Sequence, residues 1–176
     1  MDSKVKLYLE RAENNLLLAK TNFNISQSMG LKKTLSIPSD STFFADVISE
    51  GYYAIFYASK AYLLLKGVET KVPDEHKKTY KKFREMVNSG ELDSELLEIY
   101  ESEAEKADSL LKIMLLEKSK RGRFTYDVNA GANMPYAEES VENARKFVSI
   151  IKDLIEKIGE KTGEEKKFER GEGEHE

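Results

Sequence analysis

Hydrophobic residues concentrate in one segment of this chain, SEGYYAIFYASKAYLLLKG (49–67), which is apolar on almost every side of a helical wheel. A helix that is apolar all round must be covered all round. We therefore expect it to be the central helix of a bundle, or a helix shared with a second copy of the chain. Small residues such as Gly51 and Ala54 alternate with large ones such as Tyr52 and Phe56, which favours close approach of neighbouring backbones.

The remaining apolar positions recur at helical spacing and predict four more helices. The five predicted helices run from about Ser3 to about Phe23, from a cap at Asp40 or Ser41 to Gly67, from Pro73 and Asp74 to Asn88, from a cap at Asp93 or Ser94 to near Gly122, and from about Tyr136 to Ile158. A long polar loop, 24–41, separates the first two helices, and an irregular segment, FTYDVNAGANMP (124–135), precedes the last. The predicted fold class is all-α, an up-and-down antiparallel bundle of about five helices.

The chain has 176 residues, which is the length of one domain. We predict a single domain over residues 1–160. After Gly159 the sequence EKTGEEKKFERGEGEHE is charged and nearly free of apolar residues. Such a segment cannot bury enough surface to offset its ordering entropy, so residues 161–176 are predicted to form a disordered tail.

Composition limits the location and the chemistry of the protein. The chain has no cysteine, which excludes disulfides and thiolate sites and fits a reducing cytoplasm. The amino terminus has no long apolar core, and Lys60 interrupts the longest apolar stretch, so neither a signal peptide nor a membrane span is expected. The net charge of −4 argues against a nucleic-acid binder that uses its whole surface, but it leaves room for a local basic patch.

Three blocks resemble the HEPN superfamily, and within it the small proteins of the UPF0332 type. They are SEGYYAIFYASKAYLLLKG (49–67), RGRFTYD (121–127), which is similar to the family's R-x-R-x-D-Y-D, and YAEESVENARKFV (136–148). With the first helix the likeness covers roughly residues 3–158. It implies a helical bundle that forms a homodimer and, in ribonuclease members, a site made of an arginine and a histidine four to six residues later.

This chain departs from that pattern, because after a gap of four residues Arg121 is followed by Tyr126 and not by histidine. Histidine exchanges protons near neutral pH, whereas tyrosine, with an ordinary pKa of about 10, is a poor base there. Arginine still binds phosphate bidentately. The resemblance therefore implies a nucleotide or RNA-phosphate site at Arg121, Arg123, Tyr126 and Asp127. Cations that complement the end of a helix, with Asp127 paired to an arginine, are the simpler interpretation.

Three hypotheses of function follow. In the first, the protein is a binding and interaction module that holds a nucleotide or RNA phosphate and acts with a minimal nucleotidyltransferase in a toxin–antitoxin-like or defence pair. In the second, it is a metal-independent endoribonuclease with Arg121 and Tyr126 as an altered catalytic pair. In the third, it is a dimeric scaffold without a small ligand.

The other candidate site residues lie on predicted helices, where a structural role is also expected. Tyr53 and Tyr57 lie one turn apart and are core residues first, but they are also candidates to line a dimer cleft with Arg121. His76 is expected to lie half-buried at a helix start, on one face with Tyr80 and Phe83. The carboxylates of the fourth helix are expected mostly on its solvated face; they are Glu98, Glu101, Glu103, Glu105 and Asp108. We expect no metal site and no cofactor.

Overall fold

Helices form all the regular secondary structure of the described residues. A computed structural model describes the backbone of residues 2–119 and 134–171 and the side chains of 2–110 and 134–160. Its six helices are α1 (Ser3–Gln27), α2 (Met29–Thr34), α3 (Phe44–Leu65), α4 (Glu75–Asn88), α5 (Ser94–Ser119) and α6 (Met134–Gly171). The predicted all-α helical bundle is confirmed. Within these ranges no helix is both long and apolar enough to cross a membrane.

The apolar helix α3 lies at the centre of the bundle. It packs against α1, α4, α5 and α6 of its own chain. Most of its side chains are buried, and Phe56, Ile48, Ile55 and Leu63 are among the largest fully buried residues. The first of the two expected arrangements, a central helix of one bundle, is therefore confirmed. Homodimerisation stays a prediction.

Helix α1 runs antiparallel to α3. Tyr8 near the start of α1 stacks on Tyr57, with ring centroids 6.3 Å apart. Phe23 near its end lies against Phe44 at the start of α3, also at 6.3 Å. The two contacts fix the register of this helix pair and bury its apolar faces against each other.

Helices α5 and α6 are antiparallel as well. Asn143 donates a hydrogen bond of 2.9 Å to the Glu103 carboxylate. Tyr100, one turn earlier on α5, meets Phe147, one turn later on α6, in an edge-to-face contact. Tyr100 and Phe147 are fully buried, so this pair belongs to the core.

The backbones of α3 and α6 approach closely at Gly51. A β-carbon built at this position would lie 3.2 Å from the carbonyl oxygen of Ser140. The small residue of the apolar segment thus allows the close contact that its pattern predicts. Gly67 ends α3 as predicted: its φ is +77°, and the Val68 N–H donates to the Leu63 carbonyl at 2.8 Å.

The connection between α1 and α3 contains more helix than the sequence predicts. Helix α1 continues to Gln27, and α2 occupies part of the predicted loop 24–41. Ser28 caps α2, because its hydroxyl accepts a hydrogen bond from the Leu31 N–H. One of the serines that favour a loop therefore acts as a helix cap.

The last helix also extends beyond its predicted end. Helix α6 continues past Gly159 to Gly171, so part of the segment predicted as a disordered tail is helical. Lysine and glutamate are good helix formers, and opposite charges three or four positions apart support a helix without burial. Residues 172–176 lie outside the described part, and the domain boundary at residue 160 stays a prediction.

Candidate functional site: an aromatic cleft between α3, α4 and α5

The structure describes only part of the site that the sequence predicts. Arg121, Arg123, Tyr126 and Asp127 all lie outside the described residues. The described residues of α3, α4 and α5 form a cleft that includes one of the candidate tyrosines.

The two candidate tyrosines of α3 have different surroundings. Tyr57 stacks on Tyr8 and lies below the Arg11 guanidinium, 5.5 Å from its ring centre, so it packs against α1. Tyr53 stacks on Tyr57, with ring centroids 6.4 Å apart, but it is 40% exposed and lines a cleft. Of the two, only Tyr53 lines that cleft.

The cleft has a volume of about 370 Å³ and lies where α3, α4 and α5 meet. Its walls are mostly aromatic on the side of α3, whereas α5 contributes two alanines, a leucine and the Asp108 carboxylate. The lining residues are Ser49, Tyr52, Tyr53, His76, Ala104, Ala107, Asp108 and Leu110. Five of these residues carry polar groups: three hydroxyls, one imidazole and one carboxylate. Aromatic walls with a few polar groups can bind a small ligand.

His76 lies among the rings of α3. Its imidazole stacks nearly parallel on Phe56, with centroids 3.9 Å apart and planes 9° apart. Its Nδ1 shares a hydrogen bond of 3.0 Å with the Tyr52 hydroxyl, which leaves Nε2 without a hydrogen-bond partner among the described residues. The expected half-burial is confirmed, but the stacking partners of His76 are on α3; its ring contacts include neither Tyr80 nor Phe83.

Burial sets the ionisation of the two polar groups of this cluster. Burial lowers the pKa of His76, and nearby Lys60 lowers it further, while Glu75 acts in the opposite direction. The imidazole is therefore neutral at neutral pH. Burial also raises the pKa of Tyr52 to about 12, so its hydroxyl keeps its proton.

A buried ion pair holds the start of α4 against α3. Lys60 is 5% exposed and pairs with Glu75, the residue before His76. Its ammonium also lies 4.4 Å from the ring centre of Tyr8. Burial lowers the pKa of Lys60, but hydrogen bonds with Glu75 and Tyr8 outweigh this effect and leave the pKa raised. The ammonium thus stays charged, and the Lys60–Glu75 pair holds the backbone next to His76 in place.

One buried hydroxyl lies behind the cleft wall. Tyr100 is fully buried, and its ring centre lies 6.3 Å from that of Tyr52. Its hydroxyl has no hydrogen-bond partner among the described residues. Burial raises the pKa of Tyr100 well above its ordinary value. The group is neutral and contributes ring packing beneath Tyr52.

The carboxylates of α5 are mostly exposed, as expected, with one exception. Glu103 is fully buried; its Oε1 accepts from Asn143 at 2.9 Å and from Lys106 at 2.8 Å. The expectation that Glu103 is solvated is wrong, because α6 covers that side of α5. Asp108 lines the cleft, and the described residues contain no group of three or more side chains that could hold a metal ion.

The cleft can hold a flat, heteroaromatic ligand. The exposed ring of Tyr53 offers a stacking surface, and stacking on aromatic side chains accepts any nucleobase. Ser49 and His76 place hydrogen-bonding groups in the same cleft. The sequence analysis does not identify Tyr52 and His76 as parts of a site. A signal was present, because His76 is the only histidine outside the predicted tail and lies at the start of α4, which follows the tyrosine-rich helix α3.

Comparison with known proteins adds no assignment. No protein-family model matches the chain, and no curated protein matches it.

Proposed function

We propose that the protein is a HEPN-like binding and interaction module that takes a nucleotide or an RNA nucleotide at the aromatic cleft. The observation that carries the proposal is the exposed ring of Tyr53 in the lining of a cleft of about 370 Å³. Composition alone supports no such site, whereas an exposed aromatic ring beside hydrogen-bonding groups suits a base.

The phosphate of this ligand is proposed to be bound by Arg121, Arg123, Tyr126 and Asp127, as the resemblance implies. These residues follow α5 in the sequence, and α5 supplies one wall of the cleft. A homodimer and a minimal nucleotidyltransferase partner, in a toxin–antitoxin or defence pair, belong to the same proposal.

Calorimetric titration with AMP tests the proposal at Tyr53. Stacking of a base on an aromatic side chain contributes about 1–3 kcal/mol, so Tyr53→Ala should weaken binding by about 5- to 150-fold. Tyr53→Phe keeps the ring and should bind nearly as well as the wild type. Equal affinities for all three proteins, or no binding by the wild type, would refute the proposal.

A metal-independent endoribonuclease is the alternative, and the place of His76 in the cleft favours it. In the tautomer whose Nδ1–H donates to the Tyr52 hydroxyl, Nε2 of the neutral imidazole carries no proton and can accept one from a 2′-hydroxyl. Cleavage of labelled single-stranded RNA in EDTA that is lost in both His76→Gln and Arg121→Ala would support this activity. RNA that stays intact with the wild type would exclude it.

The scaffold hypothesis makes the opposite prediction for the same variants. If the protein had no small ligand, Tyr53→Ala and Arg121→Ala would change thermal stability at most. Their binding titrations would then be as flat as that of the wild type.

A further inference from the structure

Helix α4 carries a concentrated positive charge in an acidic protein. Its fourteen residues, EHKKTYKKFREMVN, include five basic and two acidic side chains, whereas the whole chain has 28 basic and 32 acidic residues. All five basic side chains are exposed; they are Lys77, Lys78, Lys81, Lys82 and Arg84.

The packing of α4 explains why these charges share one surface. Thr79 and Phe83 are its buried residues, and they lie one turn apart. The Thr79 hydroxyl bonds to that of Thr70 at 2.7 Å, and Phe83 packs on Tyr100. Because this side of α4 faces the bundle, the lysines on the other side must face solvent.

Acidic neighbours neutralise only part of this surface. Glu75 forms an ion pair with the buried Lys60, and Glu85 forms one with Lys82 at 2.6 Å. In the described part of the chain, neither Lys77 nor Lys81 forms an ion pair. These two lysines are therefore available to an anionic partner.

The exposed cations lie on the same helix that supplies His76 to the cleft. Lys77, Lys81 and Arg84 have the spacing of one helical ridge, which is about 10 Å long at 1.5 Å per residue. Lys77 follows His76, which lines the cleft. The first cation of the ridge and the cleft histidine are therefore neighbours on α4.

We propose that the ridge formed by Lys77, Lys81 and Arg84 binds the phosphodiester backbone of a single-stranded nucleic acid whose base occupies the cleft. An aromatic stacking surface joined to a row of cations is how proteins hold single strands without reading their sequence. The inference rests on the proposed function and deepens it, because the ligand becomes a chain rather than one nucleotide.

One carboxylate borders this ridge on the side of α5. Glu101 is exposed and accepts a hydrogen bond of 2.6 Å from the hydroxyl of Tyr80, which lies on α4 beside the ridge. Its negative charge opposes the binding of a phosphate. Glu101→Gln should therefore raise the affinity for a single strand, whereas an uncharged ligand would not respond.

The experiment compares AMP with a short oligoadenylate and its deoxy counterpart on three proteins. They are the wild type, the triple variant Lys77→Gln, Lys81→Gln, Arg84→Gln, and a control triple with the same charge change, Lys6→Gln, Lys33→Gln, Lys157→Gln, on α1, α2 and α6. Far-UV circular dichroism first checks that all three are folded. The dissociation constants are then measured at increasing salt concentration.

We expect the wild type and the control to bind the oligonucleotide more tightly than AMP, and the ridge variant to bind both equally. Loss of three phosphate contacts should reduce the slope of log K against log salt by about 2. The deoxy strand tells whether the 2′-hydroxyl contributes.

Three results would overturn the inference. In the first, the wild type binds AMP but binds the oligonucleotide no tighter. In the second, both triple variants lose affinity equally. In the third, polyglutamate competes as well as the oligonucleotide, which would assign the ridge to an acidic protein. Absence of AMP and oligonucleotide binding would instead refute the proposed function itself.

Discussion

Two neighbouring tyrosines should respond to loss of the hydroxyl with opposite changes in stability. Tyr100 and Tyr52 have ring centres 6.3 Å apart, and each is at least half-buried. The Tyr52 hydroxyl shares a hydrogen bond with His76, whereas that of Tyr100 has no partner among the described residues. Substitution by phenylalanine removes one oxygen at each site and keeps both rings.

The magnitudes follow from the two environments. A buried polar group without a partner costs about 1–3 kcal/mol, so Tyr100→Phe should raise the free energy of unfolding by about 1–2 kcal/mol. Tyr52→Phe loses one hydrogen bond and should lower it by about 1 kcal/mol. In a domain of this size the two melting temperatures should then differ by about 4–12 °C.

Urea unfolding followed by circular dichroism measures both variants, and an unchanged m-value shows that the midpoint shifts reflect stability. The reasoning would be refuted if Tyr100→Phe lowered the stability by about 1 kcal/mol or more. That result would mean that the hydroxyl is hydrogen-bonded, for example to a buried water, and that it supports the wall of the cleft.

Three more predictions test the surroundings of the cleft by urea unfolding. Lys106→Met removes the cation 2.8 Å from the buried Glu103 carboxylate and should lower the free energy of unfolding by about 3 kcal/mol. The double variant Lys106→Met, Glu103→Leu should recover most of this loss, and an unchanged stability of Lys106→Met would contradict the prediction. The wild type should lose stability between pH 7 and pH 5, since the pKa of His76 is below its usual value of about 6.5 and its protonation therefore favours the unfolded chain. His76→Phe should lose less over this range, and equal losses for the two proteins would show that His76 is not the group responsible. Gly51→Leu should cost about 3 kcal/mol, because a β-carbon there already lies 3.2 Å from the Ser140 carbonyl, and a stable variant would show that α3 and α6 can separate freely.

The sequence predicts the centre of this fold well, because a helix that is buried on all sides must consist almost entirely of apolar residues. An apolar segment such as 49–67 has one stable place in a soluble bundle, at its centre. The end of α3 is equally predictable, since Gly67 takes a positive φ that other residues avoid. Both features depend on local chemistry that the residue types alone specify.

The ends of the other helices depend on weaker effects. Helix α6 passes Gly159, where the penalty for glycine in a helix is about 1 kcal/mol relative to alanine and where neighbouring lysines and glutamates offset it. Ser28 is a loop residue by composition but caps α2. Terms of this size compete closely, so the residue types alone do not decide between helix and loop.

The site depends on contacts between helices, which no local pattern specifies. His76 stacks on Phe56 where α4 packs against α3, and the Lys60–Glu75 pair, whose residues are 15 positions apart, joins the same two helices. Glu103 looks solvated by its neighbours in the sequence but is covered by α6. The spacing of Tyr53 and Tyr57 on the tyrosine-rich helix makes both candidates, but only Tyr53 lines the cleft, because Tyr57 packs against α1.

The most direct test of the nucleotide site uses the two histidines of the chain, His76 and His175. His76 lines the cleft, and His175 lies in the predicted tail. A titration with AMP, followed in a spectrum of ¹⁵N-labelled imidazoles, should shift the signals of His76 with saturation and leave those of His175 unchanged. Signals of His76 that stay constant at saturating AMP would contradict a nucleotide site in the cleft.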